Sequence, residues 1–124
     1  MLNTLEAYYI EGYQERQDYT PGSAVVSGEV VDMTGGIVGV CTSPEGIAAN
    51  VKGALAVSGI FKLKKASGSG VTFSRGDKVA WDDTNNTAVP DGDANDDFTT
   101  GIAAEDAADA DDGVLTLLNR TALV

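Results

Sequence analysis

Three groups of residues in this chain could do chemistry, and each can be checked against the spacing that chemistry needs. The first is Asp91-Gly92-Asp93-Ala94-Asn95-Asp96-Asp97, which begins like an EF-hand loop with oxygen ligands at alternate positions. Glycine should stand sixth and glutamate twelfth, but those places hold Asp96 and Ile102. The segment is no EF-hand, and a looser calcium site of Asp91, Asp93 and Asn95 stays open beside a plain solvated loop. The second group is the glycines. A phosphate-binding loop needs G-x-x-x-x-G-K-[S/T]. Five residues on from Gly68 stands Phe73, five on from Gly70 stands Arg75, and Gly76 is followed by Asp77 rather than lysine. Gly35-Gly36-Ile37-Val38-Gly39 leads into a strand pattern and not a helix, so it is no dinucleotide fingerprint. The third group is the nucleophiles. Histidine is absent, so no serine or cysteine has its usual base. Cys41, the single cysteine, lies inside the apolar run GIVGVCT and reads as a small buried hydrophobe. Carboxylates are plentiful, but they cluster in loops beside Asn, Thr and Gly with few aromatics to hold a sugar. The chain reads as a non-enzyme without a cofactor.

What remains is a train of short apolar runs cut by glycine: GEVVDM from Gly28, then GGIVGVCT, GALAVS, GIFKLKK, GDKVAWD, TTGIAA and GVLTLLN. Each is of strand length, and the gaps carry residues that turn a chain at low steric cost. This predicts an all-β sandwich or small barrel of many short strands. Alternation places Phe61 and Leu63 inward and Lys62 and Lys64 on a solvated face. It also sends Val79 and Trp81 to one side and makes Trp81 the expected core anchor. Residues 66–70 read as a flexible loop and 82–97 as turn-rich with at most one short strand near 87–89. Residues 105–113 read as a loop or single helical turn, and 120–124 as a mildly apolar tail. No repeat period is visible.

The chain of 124 residues fits one domain and permits a modest core. One cysteine excludes an internal disulfide, and without histidine a zinc site would need carboxylates or a second subunit. No run approaches the ~18 apolar residues of a membrane helix. The N-terminus lacks the basic start and apolar middle of a signal peptide, which predicts synthesis in the cytosol. A net charge of −11 disfavours nucleic acid and anionic membrane as partners. Residues 1–66 hold seven acids and five bases, while 67–124 hold twelve acids and three bases. The acidic C-terminal loops are therefore expected to face water, with the neutral half facing partners.

Residues 1–22 read as an N-terminal arm and 23–124 as the β-barrel domain. All four tyrosines, Tyr8, Tyr9, Tyr13 and Tyr19, precede the turn Thr20-Pro21-Gly22. Such rings serve either as interface anchors or as a cover for one end of the barrel. LEAYYIEGYQER itself is either a short strand or an irregular arm.

In order along the chain stand Asp18-Tyr19-Thr20-Pro21, Val25-Val26-Ser27-Gly28, Gly39-Val40-Cys41, Gly53-Ala54-Leu55-Ala56-Val57-Ser58-Gly59-Ile60-Phe61, Gly76-Asp77-Lys78-Val79-Ala80-Trp81-Asp82 and Thr100-Gly101-Ile102-Ala103. Over residues 18–119 this series resembles a family of small capsid decoration, or cement, proteins of tailed phages and prophages, often mislabelled as RecA/RadA-like recombinases. The missing phosphate loop argues independently against that label. The resemblance implies a small β-barrel of β-tulip type, forming homotrimers on the outer surface of the capsid and bound to the major capsid protein. The chain departs from the pattern at Cys41, where a small residue such as alanine is expected, and in its longer, tyrosine-rich N-terminus.

The resulting expectation is a head-decoration protein that bridges capsid subunits. Tyr8, Tyr9, Tyr13 and Tyr19 are the expected capsid-binding residues. Gly53, Ala54, Ala56 and Gly59, whose small size permits close approach, are the expected subunit contact. A carbohydrate- or ion-binding β module of a tail or fibre is the alternative; a third reading is an enzyme subunit whose catalytic residues lie on another chain. The isolated protein is expected neither to hydrolyse nucleotide nor to bind DNA; saturable ATP turnover, or tight duplex binding at physiological salt, would overturn this.

Overall fold

Each of the seven glycine-delimited runs contains a strand. A computed structural model describes residues 6–65 and 70–121; most of the loop expected at 66–70 and of the tail at 120–124 lies outside the described residues. The strands are β1 (Ala7–Glu11), β2 (Arg16–Tyr19), β3 (Val30–Asp32), β4 (Val38–Val40), β5 (Gly53–Ala56), β6 (Ile60–Lys64), β7 (Lys78–Asp82), β8 (Thr87–Pro90), β9 (Phe98–Ala103) and β10 (Gly113–Leu118). The described residues contain no helix, and 105–112 is a loop that leads into β10. The all-β expectation holds.

The small β domain is not a closed barrel. The strands form two antiparallel sheets, one in the order β1-β6-β10-β9-β7-β8 and one in the order β2-β5-β4-β3. The larger sheet curls until Lys65, just past β6, meets Ala88 of β8 in a single parallel bridge, but no continuous ladder closes it. The chain leaves the larger sheet after β1 and returns to it before β6. At these crossings Gly12 (φ 96°) and Gly59 (φ 108°) stand against each other, both in backbone conformations that favour glycine. Ser58 Oγ joins the two passes, donating to Tyr13 O and accepting from Glu15 N, each at 2.8 Å.

The two sheets are one unit used twice. In the first, Val25 and Ile47 exchange backbone hydrogen bonds of 2.8 Å, and Gly28 N donates to Cys41 O. Cys41 N in turn donates to Glu29 O, and the Glu29 carboxylate receives Val26 N at 3.0 Å. In the second, Phe73 and Ala107 make the same exchange, Gly76 N donates to Ala103 O, and Ala103 N donates to Asp77 O. There the Asp77 carboxylate receives Ser74 N at 2.8 Å. Gly28 and Gly76 share a positive φ (83° and 92°). Thus β3, β4 and β5 correspond to β7, β9 and β10. The repeat is hidden in the sequence because residues 33–37 make the first β3–β4 link, while the matching 83–97 contains the added strand β8.

One apolar layer lies between the sheets. It joins Val30, Val38, Val40 and Ala56 of the smaller sheet to Phe61, Leu63, Val79, Trp81, Val114 and Leu118 of the larger. The smaller sheet buries its other face too, where Val31, Leu55 and Cys41 pack with Val25 and Ile47 from flanking loops. Gly39 is fixed by this packing: a Cβ there would come within 2.7 Å of Leu55 and 2.8 Å of the Met33 sulfur. Asn119, at the end of β10, ties the sheets by polar bonds. Its amide pairs with Val38 through both N–H (2.9 Å) and C=O (2.8 Å) and donates to Val57 O at 2.7 Å.

Trp81 is fully buried, as expected, and its Nε1 has no hydrogen-bond partner among the described residues. It serves by volume rather than by its N–H. Trp81→Ala is therefore expected to lower stability by about 3–5 kcal/mol, with Trp81→Phe less harmful because it removes the unpaired group along with part of the ring. Denaturant unfolding of the two variants checks this; near-wild-type stability of Trp81→Ala would overturn it.

Candidate interaction surface

The segment expected to be an arm is hydrogen-bonded into both sheets: β1 pairs with β6, and β2 with β5. β1 forms one edge of the larger sheet and buries Ala7 while leaving its other four residues exposed. Residues on opposite faces of a strand alternate, so Tyr8 and Tyr9 point to opposite sides. Tyr9 lies opposite Phe61, with ring centroids 5.5 Å apart in an edge-to-face arrangement. Its hydroxyl donates to Gly12 O at 2.6 Å. Tyr8 lies opposite Lys62 on the outer face. The register shifts between Tyr9 and Glu11, so Ile10 sits in a bulge.

A groove of about 620 Å³ follows this edge, lined by Tyr8, Tyr9, Ile10, Lys62, Lys64 and Asp112, with Lys65 at its end. Lys62 is paired with Asp112 at 3.1 Å. The acidic half of the chain is therefore not wholly remote from this surface. A second groove of about 200 Å³ borders β1, lined by Ala7, Tyr9, Phe61, Val40, Cys41 and Thr42 among others. Thr42 Oγ1 is buried there without a hydrogen-bond partner among the described residues.

The other two tyrosines lie elsewhere. Tyr13, at 80% exposure, occupies the crossing after β1, and Tyr19 packs half-buried against the second apolar cluster. The four rings do not make one patch. The small residues 53–59 also divide. Ala56 is completely buried in the core, the space over Gly53 is filled by Ile47, and Gly59 belongs to the crossing. Ala54 is half-buried on β5.

The acidic loops use their carboxylates on their own backbone. Asp93 Oδ1 accepts from Asn95 N at 2.9 Å and Asp96 Oδ2 from Gly92 N at 3.2 Å. No three His, Cys, Asp or Glu side chains converge as metal ligands among the described residues. Asp82 turns the β7–β8 hairpin: Oδ1 accepts from the amides of Asn85 and Thr84, both at 3.0 Å, and Oδ2 from Asn85 Nδ2 at 2.8 Å. These bonds, the Asn85 amide first, hold its carboxyl below the usual range. The hydrogen bond from Lys62, and then its charge, do the same for Asp112.

Glu6 behaves oppositely. Its carboxylate reaches from the start of β1 to the other sheet and accepts Val30 N at 3.0 Å. Burial pushes its pKa up, the Val30 bond opposes the rise, and the charges of Glu29 and Asp83 add to it. Asp83 is also raised, first by burial and then by Asp97, Asp32 and Asp82. Sequence reasoning missed Glu6 because nothing in LEAYY marks a residue whose partner lies on β3.

A family profile described as phage cement protein matches residues 10–118. The chain belongs to the phage cement protein family. Its role is that of a structural protein associated with the capsid of the virion. The matched span takes in Tyr13 and Tyr19 and begins just after Tyr8 and Tyr9. No curated protein and no solved structure gives a significant match.

The raised and lowered carboxyls act in different pH windows. For Glu6 and Asp83 the folded state binds protons more readily, so stability rises as pH falls through their folded pKa values, until the unfolded chain also protonates near about 4. For Asp82 and Asp112 stability is present above the unfolded value and is lost as pH falls through the lower folded one. The melting temperature is thus expected to climb on acidification from neutral pH toward the unfolded carboxyl range and to drop below that range. Glu6→Gln, which keeps an acceptor for Val30 N, should be more stable than wild type at neutral pH and flatten the climb. Glu6→Ala should cost about 1–3 kcal/mol by leaving that N–H unpaired. Thermal melts across pH check all three; an unchanged climb in Glu6→Gln would assign it to other groups.

Proposed function

We propose that this cement protein binds the outer surface of the capsid and bridges neighbouring major capsid protein subunits, with β1 as the principal docking element. The observation that carries this reading is the exposed apolar edge Tyr8-Tyr9-Ile10, at 40%, 46% and 44% exposure, on a strand fixed in place by β6. Aromatic rings held rigid beforehand lose little freedom on binding, which favours them as anchors. A bridging protein adds subunit contacts and thereby opposes the pressure of packaged DNA. Bridging is a matter of adhesion, and the absence of a nucleophile–base pair in the sequence agrees with a non-catalytic role.

The reading includes self-association into a homotrimer. Of the small residues expected at the contact, Gly53, Ala54 and Gly59 are half-buried rather than buried and are the ones that support it. Like charges oppose such assembly, so it should tighten as salt rises; sedimentation that shows monomer at all salt concentrations, with no trimer on capsids, would remove this part.

For docking, Tyr8→Ala and Tyr9→Ala are each expected to weaken capsid binding by about 1–2 kcal/mol while the chain stays folded. Tyr13→Ala, on the crossing, should weaken it less. Pelleting with capsids that lack the protein measures this. Equal binding by wild type and both β1 variants would move the contact elsewhere.

A further inference from the structure

Four strands end the two sheets, and three of them are closed to further pairing in ways that natural edges use. β1 buries Ala7 and is broken by the bulge at Ile10. β3 buries Val30 and Val31, and the Val30 N–H is taken by the Glu6 carboxylate. β8 ends in Pro90 and is met by the bridge from Lys65. β2 is open. It pairs with β5 without a bulge from Arg16 to Tyr19, and Arg16, Gln17 and Asp18 are exposed. A groove of about 540 Å³ runs beside its first half, from Tyr13 to Gln17.

The duplication shows that an edge in this position accepts a strand. In the order β2-β5-β4-β3, β2 holds the place that β6 holds in β6-β10-β9-β7. The outer edge of β6 is paired antiparallel with β1, whereas the matching edge of β2 is bare among the described residues. The register fixes which backbone groups lie on it. Val57 N donates to Glu15 O at 2.8 Å, and groups that face one neighbour recur at every second residue. Gln17 and Tyr19 therefore face β5 as well. Arg16 and Asp18 turn their N–H and C=O groups outward, where no described residue bonds to them.

Charge specifies the occupant. Let β2 lie antiparallel on β2 of a second copy, with Gln17 opposite Gln17. Arg16 of each copy then forms a hydrogen-bonded backbone pair with Asp18 of the other. Directly opposite side chains share a face, so each pair sets a guanidinium beside a carboxylate. A slip of two residues either way puts Arg16 opposite Arg16 or Asp18 opposite Asp18, and like charges so placed are destabilising. The strand is complementary to itself in one register. Its present side-chain contacts are exposed: Asp18 pairs with Lys52 at 3.2 Å, and Arg16 donates to Gln14 Oε1 at 3.1 Å. Such surface contacts are worth little and can rearrange at low cost. The edge also lies in the less acidic half of the chain, where two copies meet with least repulsion.

We propose that β2 pairs antiparallel with β2 of a second copy, Arg16 opposite Asp18, so that two four-stranded sheets run on as one. Backbone hydrogen bonds at Arg16 and Asp18 supply affinity, and the alternating charges set the register and reject other strands. The proposal goes beyond the docking reading and does not rest on it. A contact of this symmetry closes at two copies, so it is not the contact inside the homotrimer proposed above. It joins a copy in one trimer to a copy in the next, and thereby links neighbouring cement proteins to each other.

Charge reversal tests it, with sedimentation of the full chain over a range of concentrations and hydrogen exchange on the same samples. Wild type is expected to associate in pairs, whether of single chains or of trimers. Exchange should slow at the Arg16 and Asp18 amides and change little at Gln17 and Tyr19, which β5 already holds. Arg16→Asp brings two acids to the edge and Asp18→Arg two bases, so each variant alone should pair about tenfold or more weakly. An equimolar mixture of the two should regain pairing, since every acid then meets a base, and the double variant Arg16→Asp, Asp18→Arg should regain it by itself. The wild-type exchange map decides the matter if a variant fails to fold. No pairing of wild type at millimolar concentration, pairing indifferent to both single variants, a mixture that pairs no better than its components, or slowed exchange confined to other strands would each overturn the proposal. Trimers that do not pair would remove this contact and leave the homotrimer standing.

Discussion

The fold depends on a single shared layer of side chains. Its two sheets are joined by no continuous ladder, so neither has a buried inner face without the other. Burial of apolar area is worth about 25 cal/mol per Å², and the large residues that provide it in this layer are few: Trp81, Phe61, Leu63 and Leu118 are the bulkiest that are fully enclosed. Around them Val and Ala fill the space between short strands. The polar ties of Asn119 and Glu6 fix how the sheets are placed over one another, a geometry that apolar contact alone would leave loose.

Strand existence was legible because glycine and alternation coincide. Phe61 and Leu63 are buried while Lys64 is exposed, as period two requires, and the buried Trp81 and Cys41 follow from the apolar runs around them. β2 was not legible. Arg16-Gln17-Asp18 has no apolar side to advertise, and it is a strand because β5 supplies backbone partners. The division into two sheets was not legible for a related reason. A list of strands does not tell which pairs are neighbours, and the sheet switches at Gly12 and Gly59 read only as turns. The duplication was invisible because it resides in backbone bonds at Gly28 and Gly76, with few side chains in common.

The interaction surface was half legible. Concentration of tyrosine marked the N-terminal segment, but its rings are distributed over two faces, a crossing and the second sheet. Lys62 and Lys64 read as a solvated face, and only the pairing of β1 with β6 sets them beside Tyr8. Small size misled at Ala56 and Gly53, where it serves close packing within the chain.

The Asn119 clamp has a consequence in time. Its partner Val38 lies 81 positions earlier, and β6 can complete its pairing only when β10 has arrived. Contacts of such separation form slowly, since the intervening chain must first be brought together. Until β10 has been made, the first unit has its own hairpins but lacks the lid that covers its inner face. The first unit thus reaches its final form only after the second has been made, when Asn119 locks onto β4.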